Sequence, residues 1–135
     1  MVVKRETDYS LRVLRALLSG EQKTAGEICA EEVMPLPFVY RILKKMEVGG
    51  LVKITRGKDG GASLDCDLKA VSLYDLLTTL GDRPYVNDCM KPGYQCERRR
   101  ETGKICIAHR HLAEVQAALE NVLKERSLYY MLTED

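Results

Sequence analysis

FVYRILKKMEVGG-LVKITRGKDGGASL, residues 38–64, holds two patterns that meet at the Gly49-Gly50 pair. The first half reads as a helix that the glycines stop. In the second half Leu51–Arg56 reads as a strand, GKDGG as a glycine-rich turn and Ala62–Leu64 as a returning strand. What precedes this helix and basic hairpin decides the fold. A helix is expected from Thr7 to Ser19, with Leu11, Leu14 and Leu18 on one face and Gly20 ending it. Thr24–Glu27 (TAGE) is a capping box that opens a short second helix ending near Glu32. Pro35 and Pro37 fit only the first turn of the helix that follows. Three helices and then a hairpin is the order of a winged helix-turn-helix.

Downstream of the hairpin, Ser72 starts a helix (SLYDLLTTL) that Gly81 closes. From Gly81 to about Lys104 no period is sustained, and Pro84, Pro92, Gly93 and Gly103 interrupt the chain. A long helix is expected over Ile105–Arg126, with Ile107, Leu112, Val115, Leu119, Val122 and Leu123 apolar. Such a helix suits a dimer interface or packing on its own domain. SLYYML reads as a short last helix. The expected class is mainly α with a small β-hairpin: a winged helix-turn-helix plus a long dimerisation helix. The expected divisions are 1–80 for DNA binding, 81–104 for a cysteine-containing loop and 105–135 for the dimerisation helix and last helix.

Composition agrees with one globular unit. The chain has 135 residues, 45% hydrophobic and 30% charged, with no apolar run approaching the ~20 residues of a membrane span. The N-terminus lacks the pattern of a secretion signal, so no membrane association and a cytoplasmic location, where thiols stay reduced, are expected. The five cysteines are odd in number and unevenly spaced, which favours metal or thiol chemistry over a disulfide framework. With two histidines, no phosphate-binding glycine loop and no nucleophile–base motif, an enzyme is not expected.

Charge points toward nucleic acid. Leu36–Gly61 carries six basic residues against two acidic ones in a chain whose net charge is +1. In a helix-turn-helix the second helix of the pair enters the major groove with its N-terminal side chains at base edges. Those residues are Phe38, Tyr40 and Arg41, with Lys44 and Lys45 following along the phosphates. Arg41 is the expected base reader, since a guanidinium can make two hydrogen bonds to guanine. Arg56, Gly57 and Lys58 stand at the thin wing tip, which can approach the minor groove.

Cys89, Cys96 and Cys106 lie in CMKPGYQCERRRETGKIC, and His109 follows three residues later. Thiolates hold iron–sulfur clusters, and Lys91, Arg98, Arg99, Arg100 and Lys104 would partly offset an anionic one. The same four groups could form a Cys3His zinc site, although the close cysteine pairs typical of structural zinc are missing. Two of the thiols could instead form a reversible disulfide. Cys29 and Cys66 read as small apolar packing residues, and His111 as a surface residue.

Thr7-Asp8-Tyr9 followed by Leu11-Arg12-Val13-Leu14, then Gly50-Leu51-Val52 and Arg56-Gly57-Lys58-Asp59-Gly60-Gly61, resemble the Rrf2 family of winged-helix transcription regulators. The resemblance covers nearly the whole chain. It implies a homodimer on a palindromic operator, acting as a repressor, with one iron–sulfur cluster ([2Fe-2S] or [4Fe-4S]) per subunit on Cys89, Cys96 and Cys106. The fourth ligand it implies is Asp8 of the partner subunit in the nitric-oxide-sensing branch, or His109 in the iron–sulfur-regulator branch. The gap from Cys96 to Cys106 holds nine residues, longer than is usual in the family. Two alternatives stand beside this reading: a cluster-free regulator of thiol redox or cysteine metabolism, and a small electron-carrying metalloprotein.

Overall fold

The computed structural model describes residues 2–134. Its first three helices are α1 (Arg5–Ala16), α2 (Ala25–Glu32) and α3 (Leu36–Val48). They pack pairwise around Val13, Leu14, Leu17, Ile28, Val39, Ile42 and Met46, all fully buried. Removing each such side chain from water contributes about 1.5–3 kcal/mol, which fixes the faces these helices turn inward. Helix α1 begins two residues before the expected Thr7. Thr7 does not cap it: the residue is fully buried, and its hydroxyl finds no hydrogen-bond partner among the described residues. Thr24 does cap α2, accepting the Glu27 N–H at 3.1 Å, while its hydroxyl donates to the Glu27 carboxylate.

Met34 and the prolines shape the tight α2–α3 connection. Pro35 is the N-cap of α3 and Pro37 lies in its first turn, where a missing N–H costs nothing. Val33 adopts φ +52°, a conformation that β-branched residues resist, and it ends α2 abruptly.

The hairpin consists of β1 (Val52–Thr55) and β2 (Gly61–Leu64), antiparallel with Val52 opposite Leu64 and Thr55 opposite Gly61. Its turn depends on glycine. A Cβ on Gly60 would sit 2.2 Å from the Thr55 carbonyl oxygen, and Gly57 adopts φ +105°. A short bridge between Lys23 and Ala62 ties the hairpin to the α1–α2 loop. The fold is therefore a winged helix-turn-helix, mainly helical with one two-stranded hairpin.

Helix α4 (Leu73–Thr79) opens with a complete capping box. Ser72 Oγ accepts the Asp75 N–H, and the Asp75 carboxylate accepts the Ser72 N–H at 2.8 Å. The segment expected to lack structure contains a 3-10 turn (Asp88–Met90) and a helix, α5 (Glu97–Thr102), none of whose residues is buried. Gly103 ends α5 at φ +67°. Helices α6 (Ile107–Glu125) and α7 (Leu128–Thr133) complete the chain. Helix α6 packs on α4 and on the 3-10 turn, and α7 packs on the turn at Leu68–Ala70. Leu68, Leu76, Leu80 and Leu128 continue the core of the first three helices, so α4 and α7 share one apolar interior with them.

Candidate functional site

Helix α3 presents two faces. Val39, Ile42, Leu43 and Met46 are buried, and Leu36, Pro37, Tyr40, Arg41, Lys44 and Val48 are exposed at matching helical spacing. Tyr40 and the side chains of Arg41 and Lys44 are about three-fifths exposed and form one outward line. Phe38 does not join that line freely. It is half-buried, edge-on to Tyr9 with ring centroids 5.4 Å apart, and the Arg41 guanidinium lies 4.8 Å above its face. Phe38 thus packs between Tyr9 and the Arg41 guanidinium. Lys45 turns toward α1, where its Nζ lies 2.9 Å from Glu6 Oε1. Arg56, Gly57 and Lys58 are exposed at the hairpin tip.

The cysteine segment is open. Cys89 occupies the 3-10 turn, and Asn87 Nδ2 donates to its sulfur at 3.5 Å. Cys96 and Cys106 are the N-cap residues of α5 and α6. The Cys106 sulfur accepts the backbone N–H of His109 at 3.4 Å, so it is the His109 main chain that meets this thiol. All three cysteines are half-buried and free. Asp8 is half-exposed on α1 and ion-paired to Arg12 of the same helix at 3.2 Å.

Among the described residues, no three His, Cys, Asp or Glu side chains gather as a metal site. As donors, three thiols beside exposed cations suit an iron–sulfur cluster. As arranged, on three separate elements, they do not gather around a common point.

The other two cysteines follow the packing reading. Cys29 and Cys66 lie against the core, and Cys66 Sγ is 3.5 Å from the Leu51 carbonyl. Burial, then the carboxylates of Asp65 and Asp67, push the Cys66 thiol above its ordinary value, which keeps it protonated.

A polar clasp holds the start of the cysteine segment on α6. Gln116, almost fully buried, donates to the Pro84 carbonyl at 2.8 Å and accepts the Val86 N–H at 2.9 Å. It also donates to Glu120, which pairs with Arg83 at 3.0 Å. The Gln116 hydrogen bond, helped by Arg83, holds the Glu120 carboxyl below its ordinary value against the opposing effect of burial. A lone glutamine on a helix carries no sequence signal for this role. Gln116→Ala would leave the Pro84 carbonyl and Val86 N–H unpaired. The expected loss is about 1–3 kcal/mol of stability, read by urea denaturation, with faster amide exchange at Val86.

Residues 3–134 match the model of the family described as Rrf2, iron-dependent transcriptional regulator. The chain belongs to the Rrf2 family. Members of that family are DNA-binding transcription regulators, usually dimeric, and not enzymes. One relative is an Aquifex aeolicus (strain VF5) protein whose name marks it as an HTH-type transcriptional regulator. It is 22% identical over 126 residues, 92% of this chain and 86% of its own length. The fold is similar to that of T. potens IscR, with TM-score 0.72 and 17% identity, covering 98% of this chain and 86% of that one. It is also similar to CymR, the global cysteine regulator of B. subtilis, with TM-score 0.74 and 19% identity, covering 98% and 97%.

At these identities the two structures establish the Rrf2 fold. Tyr40, Arg41, Lys44, Arg56 and Lys58 are exposed, while Phe38 and Lys45 make contacts within the protomer. No helix among the described residues is long and apolar enough to cross a membrane.

Proposed function

We propose that this Rrf2-family regulator represses transcription by binding a palindromic operator as a homodimer, and that the chemical state of the cysteine segment sets its affinity. The outward line of Tyr40, Arg41 and Lys44 on α3 carries the DNA reading. It lies opposite the packed face, at the spacing a major-groove helix needs. The dimer reading is supported by α6. Ala108, Leu112, Val115, Leu119 and Val122 recur at alternating four- and three-residue steps beside the stripe that packs on the protomer. Val115 and Val122 are 53% and 65% exposed. A two-fold pairing of α6 with its copy would cover this seam.

For the cysteine segment the first reading is one iron–sulfur cluster per subunit on Cys89, Cys96 and Cys106. The fourth ligand would be Asp8 of the partner subunit or His109. The donor chemistry supports it; the thiols would have to converge from the open arrangement described above. When bound, a cluster supplies an iron centre that reacts with oxidants and nitric oxide. The open arrangement of free, half-buried thiols favours a second reading, a regulator that senses oxidants or cysteine metabolism through the thiols alone.

Anaerobic purification followed by native mass spectrometry separates the two. The cluster reading expects iron and sulfide mass on each subunit, abolished by Cys96→Ser, and lowered by whichever of Asp8→Ala and His109→Ala removes the fourth ligand. Protein that carries no iron or sulfide after anaerobic reconstitution, and loses two hydrogens on mild oxidation, would establish the thiol reading instead. A duplex-binding constant that falls steeply with salt would exclude a mere electron carrier.

A further inference from the structure

We infer that Glu6, on the first turn of α1, sets the DNA specificity of α3 without touching DNA: it withdraws Lys45 from the phosphates and fixes the guanidinium of Arg41. The inference rests on the reading of α3 as the recognition helix.

The Glu6 Oε1 atom is shielded from solvent and accepts no hydrogen bond among the described residues; it is held by ion pairing, 2.9 Å from Lys45 Nζ and 3.8 Å from Arg41 Nε. Those two residues are one helical turn apart on α3, so a single carboxylate from another helix reaches both. It meets Arg41 on the Nε side, away from the terminal fork that pairs with a guanine edge. The guanidinium also rests on the Phe38 ring, and Phe38 is held edge-on by Tyr9 of α1. Arg41 is therefore confined from two sides by groups anchored on α1, and its fork is presented rather than searching.

Lys44 makes the contrast. It points outward and, among the described residues, pairs with Glu47 of its own helix at 3.3 Å. A phosphate can take Lys44, whose side chain is 65% exposed, from this pair along the helix surface at little cost. Taking Lys45 from Glu6 leaves the shielded Oε1 with Arg41 alone, at 3.8 Å, which costs more.

Sequence-independent affinity for duplex DNA depends on how many phosphates the protein neutralises, and each adds about 0.9 to the slope of log K against log salt. Base discrimination depends on side chains held in position. Glu6 lowers the first quantity and supports the second. It therefore widens the gap between specific and non-specific binding.

The test compares full-length wild type with Glu6→Gln, Lys44→Gln, Lys45→Gln and Glu6→Gln/Lys45→Gln. The probes are a duplex recovered by wild type from a random-sequence pool and a random-sequence duplex of equal length, each titrated over a range of salt. Glu6→Gln keeps the side-chain size and removes the charge. It is expected to bind the random duplex roughly 3- to 10-fold more tightly at low salt, with a slope steeper by about one per subunit. It should gain less on the selected duplex, so that the specificity ratio falls. In the double variant the steeper slope disappears. Lys45→Gln alone flattens the wild-type slope much less than Lys44→Gln does, and this arm reports on the same pair if Glu6→Gln folds poorly by circular dichroism.

The inference is overturned if Lys44→Gln and Lys45→Gln flatten the slope equally, or if folded Glu6→Gln keeps the wild-type slope and ratio. In either case a weakened Lys44→Gln leaves the reading of α3 standing. If Lys44→Gln changes nothing on either probe, the recognition-helix reading fails and the role of Glu6 fails with it.

Discussion

Arg41→Ala is expected to remove sequence discrimination at one base position in each operator half-site while leaving the protein folded and dimeric. A bidentate arginine–guanine contact contributes about 1–3 kcal/mol, so a two-fold complex that loses both copies should weaken by about 2–6 kcal/mol. The substitution is mild for the fold. The Arg41 side chain is 57% exposed, and its partners Phe38 and Glu6 retain Tyr9 and Lys45. Arg41→Lys should restore little, because an ammonium has neither the planar fork nor the stacking surface that Phe38 supports. Lys44→Ala should behave differently, weakening all duplexes by a similar factor and flattening the salt slope. Anisotropy titrations against a series of single-base variants of the selected duplex would distinguish the two. If Arg41→Ala weakens every variant equally, Arg41 contacts phosphate and the base reader lies elsewhere on α3.

What the sequence discloses about this fold is mostly local chemistry. Ser72 and Asp75 satisfy each other's backbone groups within four residues, so the start of α4 is readable, and the same holds for the glycines that shape the hairpin turn. The expected start at Thr7 falls two residues late, and the burial of Thr7 is decided by the helices packed around it. Helix α5 has no apolar periodicity to detect. Its residues ERRRET favour helix by propensity alone, and Gly103 supplies its stop.

The site is legible only to the same depth. Exposure of Tyr40, Arg41 and Lys44 follows from helical spacing. The roles of Glu6 and Gln116 depend on partners some thirty to forty residues away, which no local pattern encodes. The cysteines show the limit from the other side. Their residue types announce soft-metal or thiol chemistry, yet the spacing does not say whether the chain between them draws the sulfurs together. In the structure the long second gap folds into α5 and keeps Cys96 and Cys106 at the starts of two different helices.

Val115→Glu is expected to have the largest effect of any single substitution outside the core. Val115 lies in the middle of the α6 seam and is 53% exposed in the protomer, so the change removes little internal packing. The inward stripe of α6 is a separate line, carried by Gln116 and Leu123, and it stays intact. In a two-fold pairing, however, the substitution places two carboxylates near the axis, where each would lose water and face its like. The dimer should dissociate at concentrations where wild type is fully associated, as sedimentation equilibrium would report.

Operator binding should fall with it. Two linked half-site readers bind with an effective concentration that separate protomers lack, and losing that linkage reduces affinity by roughly 10²- to 10⁴-fold. Affinity for a single half-site should change little, because α3 packs chiefly on α1, α2 and β1. Asn121→Glu provides the control: it adds the same charge to the exposed face of α6 away from the seam and should leave both assembly and operator affinity near wild type. A Val115→Glu protein that remains dimeric would move the interface off this seam. A monomeric variant that binds the full operator as tightly as wild type would mean that each half-site is read independently.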